Sequence, residues 1–333
     1  MTQLPVIDLR TLDSESTRTD LRDAAHEVGF FYLTGHGVGE DESTDVLKLA
    51  RRFFELPQDA KDRIAMRHSP HFRGYTRLGR ELTGGQIDWR EQIDIGPDRP
   101  AMPAAQGYWN LQGPNQWPVE LPEFRPAIEE WNSRLAAIGL RLLRAWATAL
   151  GAPASTFDAA FATAPATLTK VVRYPGSNSR EQGVGAHKDA GVLTLLLVEP
   201  DSTGLQVEAQ GQWIDAPALP GTFIVNTGEL LEVATGGYLK ATRHRVSSPP
   251  RGAQRLSIPF FFNPALDARI PEMDLPKALR RRATGITDDP DNPIFSTYGE
   301  NAWKSRLRAH PDVALAQHGI TGPAGAPSSP NPP

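Results

Sequence analysis

The spacing of apolar residues changes along this chain, and each change predicts a different structure. Over residues 122–150 the apolar positions Ile128, Trp131, Leu135, Ile138, Leu142, Trp146 and Leu150 recur at steps of three and four. That period places them on one stripe of a long helix, and Gly151-Ala-Pro stops it. On such a stripe Trp131 and Trp146 read as core. From about residue 167 to 263 the pattern becomes short apolar runs broken by Gly and Pro, predicting strands at 168–174, 191–198, 205–207, 213–215, 222–226, 243–247 and 256–262. Upstream, 6–8 and 30–33 read as strands and 17–26, 47–54 and 58–66 as helices. Residues 67–118 show little periodicity and read as loops. Helical spacing returns within 266–318, chiefly at 296–310.

Closely spaced strands of this kind predict a double-sheet jelly roll. The expected fold class is mainly β with flanking helices around a double-stranded β-helix, cupin-like core. The expected organisation is an α/β region over 1–118, a supporting helix at 119–152, the jelly roll at 153–265, a helical region at 266–320 and a disordered tail at 321–333.

Composition narrows the partners. The chain has 333 residues, 22% charged and 39% hydrophobic, with a net charge of −4. Nothing in that balance points to nucleic acid or an anionic membrane. A small-molecule substrate is expected, with no obligate protein partner. Cys is absent, so disulfides, thiolate metal sites and a Cys nucleophile are excluded. The first residues carry neither a basic nor an apolar signal region, and no apolar stretch is long enough to span a bilayer, so a cytoplasmic enzyme is expected.

Candidate chemistry centres on His187-Lys-Asp189 and His244. On a strand, residues two apart share a face, so an imidazole and a carboxylate can converge. Two imidazoles and a carboxylate on one side of a metal leave positions open for substrate and O2. Alone, a His-x-Asp pair means little, because such pairs are common on solvated strands and turns. The run Gln254-Arg255-Leu-Ser257-Ile-Pro-Phe-Phe-Phe reads as a buried strand presenting a guanidinium beside a hydroxyl. A buried Arg needs an anion, and this pair suits a carboxylate, although an internal Asp or Glu could serve. His26, His36, His68 and His71 lack a carboxylate at ligand-like spacing and read as surface or structural. Asn226-Thr-Gly228-Glu229 reads as a β-turn beside the metal site. Lys188, between the ligands, is expected to point away from them.

Further motifs occur in a fixed order: Pro5-Val-Ile-Asp-Leu, Gly29-Phe-Phe-Tyr-Leu-Thr-Gly-His-Gly-Val, Phe53-Phe-Glu-Leu-Pro, Arg73-Gly-Tyr75, Arg173-Tyr174-Pro175, Gly204-Leu-Gln-Val and Asn226-Thr-Gly-Glu-Leu-Leu-Glu. With the His and Arg segments, they make the chain from Pro5 to about His318 resemble the isopenicillin N synthase-like family of 2-oxoglutarate/Fe(II)-dependent oxygenases, in particular its bacterial members. The resemblance implies that His187, Asp189 and His244 ligate Fe(II). It also implies that Arg255 and Ser257 hold the distal carboxylate of 2-oxoglutarate, with Tyr174 helping. The implied reaction oxidises a small metabolite, by hydroxylation or desaturation, with O2 consumed and succinate and CO2 released. Alternatives are an oxidase that uses no 2-oxoglutarate and an ethylene-forming enzyme that fragments it. A zinc hydrolase could use the same three groups, but lacks an evident Glu base and leaves Arg255 unexplained. A non-catalytic binder would have little use for an intact triad. The charged segment 72–92 is expected to close the metal face of the barrel, with Arg73, Tyr75 and Glu91 facing the substrate.

Overall fold

The computed structural model describes residues 3–177, 182–286 and 292–321; the tail expected at 321–333 lies almost wholly outside them. Two sheets face each other. The larger has eight strands in the order Val6–Asp8, Phe30–Thr34, Phe223–Thr227, Leu193–Val198, Gln254–Phe262, Leu168–Pro175, Glu91–Ile95 and Gly74–Thr76. The smaller has four, ordered Gln212–Asp215, Leu205–Ala209, His244–Ser247 and Gln182–His187. Neighbours run antiparallel except for the parallel pair Val6–Asp8 and Phe30–Thr34. This is the jelly-roll architecture.

Alternation along the strands divides the interior. In Gln254–Phe262, the side chains of Leu256, Ile258, Phe260 and Phe262 enter a large core backed by helices, while Arg255, Ser257, Pro259 and Phe261 line the space between the sheets. Likewise Phe31 and Leu33 face the helices, and Phe30 and Tyr32 the second sheet. The backing helix is Phe124–Ala149, whose buried stripe includes every position of the predicted period up to Trp146. Trp131 and Trp146 meet Phe223 and Phe31 edge-on. Among the described residues no helix is long and apolar enough to cross a membrane.

Three expectations need correction. Residues 67–118 are not simply loops: Gly74–Thr76 and Glu91–Ile95 complete one edge of the large sheet, and Leu82–Thr83 with Gln86–Ile87 form a hairpin. In Glu91–Ile95, Glu91 and Asp94 are buried by ion pairing, which hides that strand from any reading based on apolar alternation. His187 ends a strand, and Asp189 lies in the loop beyond it, so the pair is not held by strand periodicity. Asn226-Thr-Gly-Glu229 is not a β-turn: it ends the strand Phe223–Thr227 and caps the short helix Glu229–Ala234 through Gly228.

Candidate active site

His187 and His244 sit directly opposite each other on adjacent antiparallel strands of the small sheet. Their ring centroids are 4.3 Å apart. Each ring is fixed from behind, with His187 Nδ1 2.8 Å from the Gly185 carbonyl and His244 Nδ1 3.1 Å from that of Thr242. A carbonyl can only accept, so each neutral ring carries its proton on Nδ1 and presents an Nε2 lone pair forward. Asp189 Oδ1 lies 3.5 Å from His187 Nε2 and 3.7 Å from His244 Nε2. The three ligand atoms lie within 4.8 Å of one another.

Asp189 is held by its neighbours. Its other oxygen, Oδ2, accepts from the Thr194 hydroxyl at 2.6 Å and the Asn226 amide at 2.8 Å. The loop can pass so close to the strand ends because a Cβ on Gly191 would strike Asn263 Oδ1 at 1.9 Å, and one on Gly228 the Gly191 carbonyl at 2.3 Å. Burial favours the neutral carboxyl, but the His244 and His187 imidazoles and the Thr194 hydroxyl outweigh it and hold Asp189 well below the usual carboxylate range. Burial, with His187 adding to it, pushes His244 down to about 4, so it is neutral at physiological pH. A neutral imidazole and an ionised carboxylate are the forms a cation binds. Lys188 turns to Glu232, at 3.0 Å. Thr194 and Asn226 escaped the sequence reading as supports, although the polar Asn in a buried strand was a usable signal.

Arg255 lies two positions from Ser257 on the face that lines the inter-sheet space. It is 2% exposed, its guanidinium carbon sits 4.9 Å over the Tyr174 ring, and its Nη1 is 3.3 Å from Ser257 Oγ. Among the described residues no carboxylate lies within ion-pair distance of it, and its buried Nε has no hydrogen-bond partner. Glu199, the carboxylate that acts on it, is engaged by Arg51 and by the Leu256 N–H. Burial lowers the Arg255 pKa accordingly. An unmatched buried guanidinium of this kind is suited to receive an anion.

Triad, Arg255, Ser257 and Tyr174 all open onto one cavity of about 1270 Å³. That exceeds the volume one drug-sized ligand needs and allows two organic reactants side by side. Arg73 also lines it, but Tyr75 and Glu91 do not. Glu91 shares its strand face with Ile93 and Ile95, on the helix-backed side, where Tyr75 is also packed. There the Tyr75 hydroxyl donates to Glu91 Oε2, and Glu91 also takes Arg173 Nε at 2.6 Å and Lys61 at 3.4 Å. Their geometry supports a structural ion-pair knot, and the expectation that they meet substrate is corrected by strand alternation.

Elsewhere in segment 72–92, residues 81–85 and Arg90 line the cavity from a pinned position. Asp88 Oδ1 accepts from Gln182 Nε2 at 2.8 Å and the Gly185 N–H at 3.2 Å, tying the segment to the His187 strand. The tip Leu82-Thr-Gly-Gly85 lines the cavity.

Residues 4–120 match the family described as "non-haem dioxygenase in morphine synthesis N-terminal", and residues 166–264 match "2OG-Fe(II) oxygenase superfamily". A 2-oxoglutarate-dependent dioxygenase, frbJ of Dothideomycetidae sp., is 36% identical over 93% of this chain and 90% of its own. The chain belongs to the 2OG-Fe(II) oxygenase superfamily. The homoarginine-6-hydroxylase 2-ODD-C23 of Glycine max is 35% identical over 79% of this oxygenase and 81% of its own length. Among solved structures, a full-length Neurospora crassa protein in complex with alpha-KG covers 90% of this chain and 95% of its own, with a TM-score of 0.73 and 26% identity. A putative 2OG-Fe(II) oxygenase family protein from Caulobacter crescentus gives a TM-score of 0.74 and 26% identity over 92% of this chain and 99% of its own. This oxygenase is therefore an Fe(II)/2-oxoglutarate-dependent dioxygenase of small molecules, with O2 as cosubstrate.

Proposed function

We propose that His187, Asp189 and His244 hold the Fe(II), and that Arg255, Ser257 and Tyr174 bind 2-oxoglutarate by its distal carboxylate. What carries this reading is the pairing of three convergent ligand atoms with an unmatched buried guanidinium on the wall of the same cavity. The donor set, two imidazoles and one carboxylate, suits ferrous iron with sites left open. When bound, Fe(II) with 2-oxoglutarate and O2 supplies an oxidant able to remove hydrogen from a C–H bond, with succinate and CO2 as coproducts. The chain's own groups bind and orient. The Gly185 and Thr242 carbonyls fix the imidazole tautomers, Thr194 and Asn226 aim Asp189 Oδ1, and Arg255 fixes the angle at which the 2-oxo acid lies. Where the target C–H is presented decides between hydroxylation and desaturation.

Within the superfamily we place the chain with the isopenicillin N synthase-like members and read it as bacterial, on the ordered motifs from Pro5 onward. A cytoplasmic setting fits, because a reducing compartment keeps iron ferrous. No obligate protein partner forms part of this reading. A small polar metabolite is the expected substrate, supported by the charged wall of the cavity and by the homoarginine-hydroxylating relative.

The test measures succinate from 2-oxoglutarate with Fe(II) and O2, in wild type and Arg255→Leu. Loss of a charge-assisted bidentate contact should weaken 2-oxoglutarate by about 100-fold, a little under 3 kcal/mol, with Fe(II) still bound. Turnover that needs no 2-oxoglutarate even in wild type would instead favour the oxidase chemistry.

A further inference from the structure

Besides Arg255, one other fully buried guanidinium faces the cavity without a carboxylate at ion-pair distance among the described residues. Arg73 is 6% exposed and lines the same space. Its Nη2 donates to the Leu111 carbonyl at 3.0 Å and its Nη1 to that of His71 at 3.2 Å, while its buried Nε has no partner. The acids on this side are already matched. Asp94 takes Arg306 at 2.5 Å and Lys170 at 3.5 Å, Glu81 takes Lys170 at 2.6 Å and Arg90 at 3.1 Å, and Asp88 takes Arg90 at 3.1 Å. Three carboxylates thus meet three cations, and Arg73 is the charge left over. Neutral carbonyl partners do not cancel a buried charge. Burial, with Arg306 nearby, pushes the Arg73 pKa down to about 10, which still leaves it charged at neutral pH.

We propose that Arg73 is the anchor for a single carboxylate on the primary substrate, so that this oxygenase acts on a small organic acid spanning from Arg73 to the triad. The inference rests on the reading of Arg255: the distal carboxylate of 2-oxoglutarate balances that guanidinium and leaves Arg73 for the second reactant. One unmatched positive charge fits a monoanion better than a phosphate dianion. The neighbouring Tyr298 hydroxyl, kept neutral by burial with its pKa pushed up to about 12, lines the same wall and offers an uncharged hydrogen bond.

Succinate release from 2-oxoglutarate is measured with wild type against matched pairs of small carboxylic acids, including amino acids, and their methyl esters, with phosphate monoesters as a further arm. Free acids should raise the rate above substrate-free decay, and their esters should act at least tenfold less well. With the best acid, Arg73→Gln should raise its KM about 50-fold or more and leave that of 2-oxoglutarate within twofold. Arg73→Lys, which keeps the charge but not the fork, should fall between and serves if Arg73→Gln does not melt cooperatively. The assignment is overturned if esterification makes no difference, if no free acid stimulates, if only phosphate esters do, or if the variants lower Tm without moving the acid's KM. Substrate-free decay reports separately on the iron and 2-oxoglutarate reading, so its loss and the failure of the acid arm are distinguishable.

Discussion

Two buried polar assemblies share one cavity, and they are built on opposite principles. At the triad and Arg255, polar atoms are held from behind and left open in front: Asp189 spends Oδ2 on Thr194 and Asn226 but keeps Oδ1 free, and each His spends Nδ1 but keeps Nε2. Around Glu81 and Asp94, cations from three different parts of the chain, Arg90, Lys170 and Arg306, close on the carboxylates. The first arrangement stores the capacity to bind. The second ties the helix Tyr298–Ala309 and the segment 81–90 to the large sheet. Charge density therefore marks function poorly, and an open valence on a supported group marks it better.

The sharpest way to break the comparison is to remove one member of each assembly. His187→Ala should reduce succinate-forming turnover by about a thousandfold or more, some 4 kcal/mol of barrier, while the metal-free protein melts within a few degrees of wild type. Near wild-type turnover would show that the open corner is not the metal site. Asp94→Ala should do the reverse in kind, stranding Arg306 and Lys170 in the interior. A stability loss of about 3–5 kcal/mol in urea unfolding is expected, and a loss below about 1 kcal/mol would mean the closed assembly contributes little to the fold.

A smaller effect separates the two by pH. Glu229 lines the cavity near the triad, and burial pushes its carboxyl up to about 7. Its folded pKa lies above the unfolded value, so its contribution to stability is present below about pH 4.5 and is lost as pH rises to about 7. Glu229→Gln should then gain on wild type over that window, seen as a Tm difference that grows from pH 4.5 to 7. The Glu81 and Asp94 carboxyls have the opposite sign: opposed by burial but held down by Arg90 and Lys170 respectively, they support stability above the usual carboxylate range and lose it on acidification. A Tm difference that stays flat with pH would remove Glu229 from this account.

The sequence was legible where one face of an element is apolar and the other is not. The helix Phe124–Ala149 and the strand Gln254–Phe262 followed from spacing alone, and the latter placed Arg255 and Ser257 side by side. The strand Glu91–Ile95 did not, because Glu91 and Asp94 are buried by long-range partners that no local window contains. The same blindness put Glu91 and Tyr75 on the substrate side, when alternation with Ile93 and Ile95 turns Glu91 to the helices. Asp189 was recognised by its neighbours in sequence, but its aim depends on Thr194, Asn226 and the tight passage at Gly191 and Gly228, which only the folded chain brings together.

The cross-strand pairing of His187 with His244 also bears on how this protein can be re-engineered. A one-residue slip between their strands would turn one imidazole outward, so the segments entering the two histidines cannot change length freely. The hairpin joining Leu205–Ala209 to Gln212–Asp215 is under no such restriction. Its turn residues Gln210 and Gly211 both have positive φ, nothing lies within 4 Å of a side chain added at Gly211, and Gln212–Asp215 is the outermost strand of its sheet. A peptide tag or fluorescent reporter grafted at that tip would hang from the barrel's rim while the paired histidines keep their places.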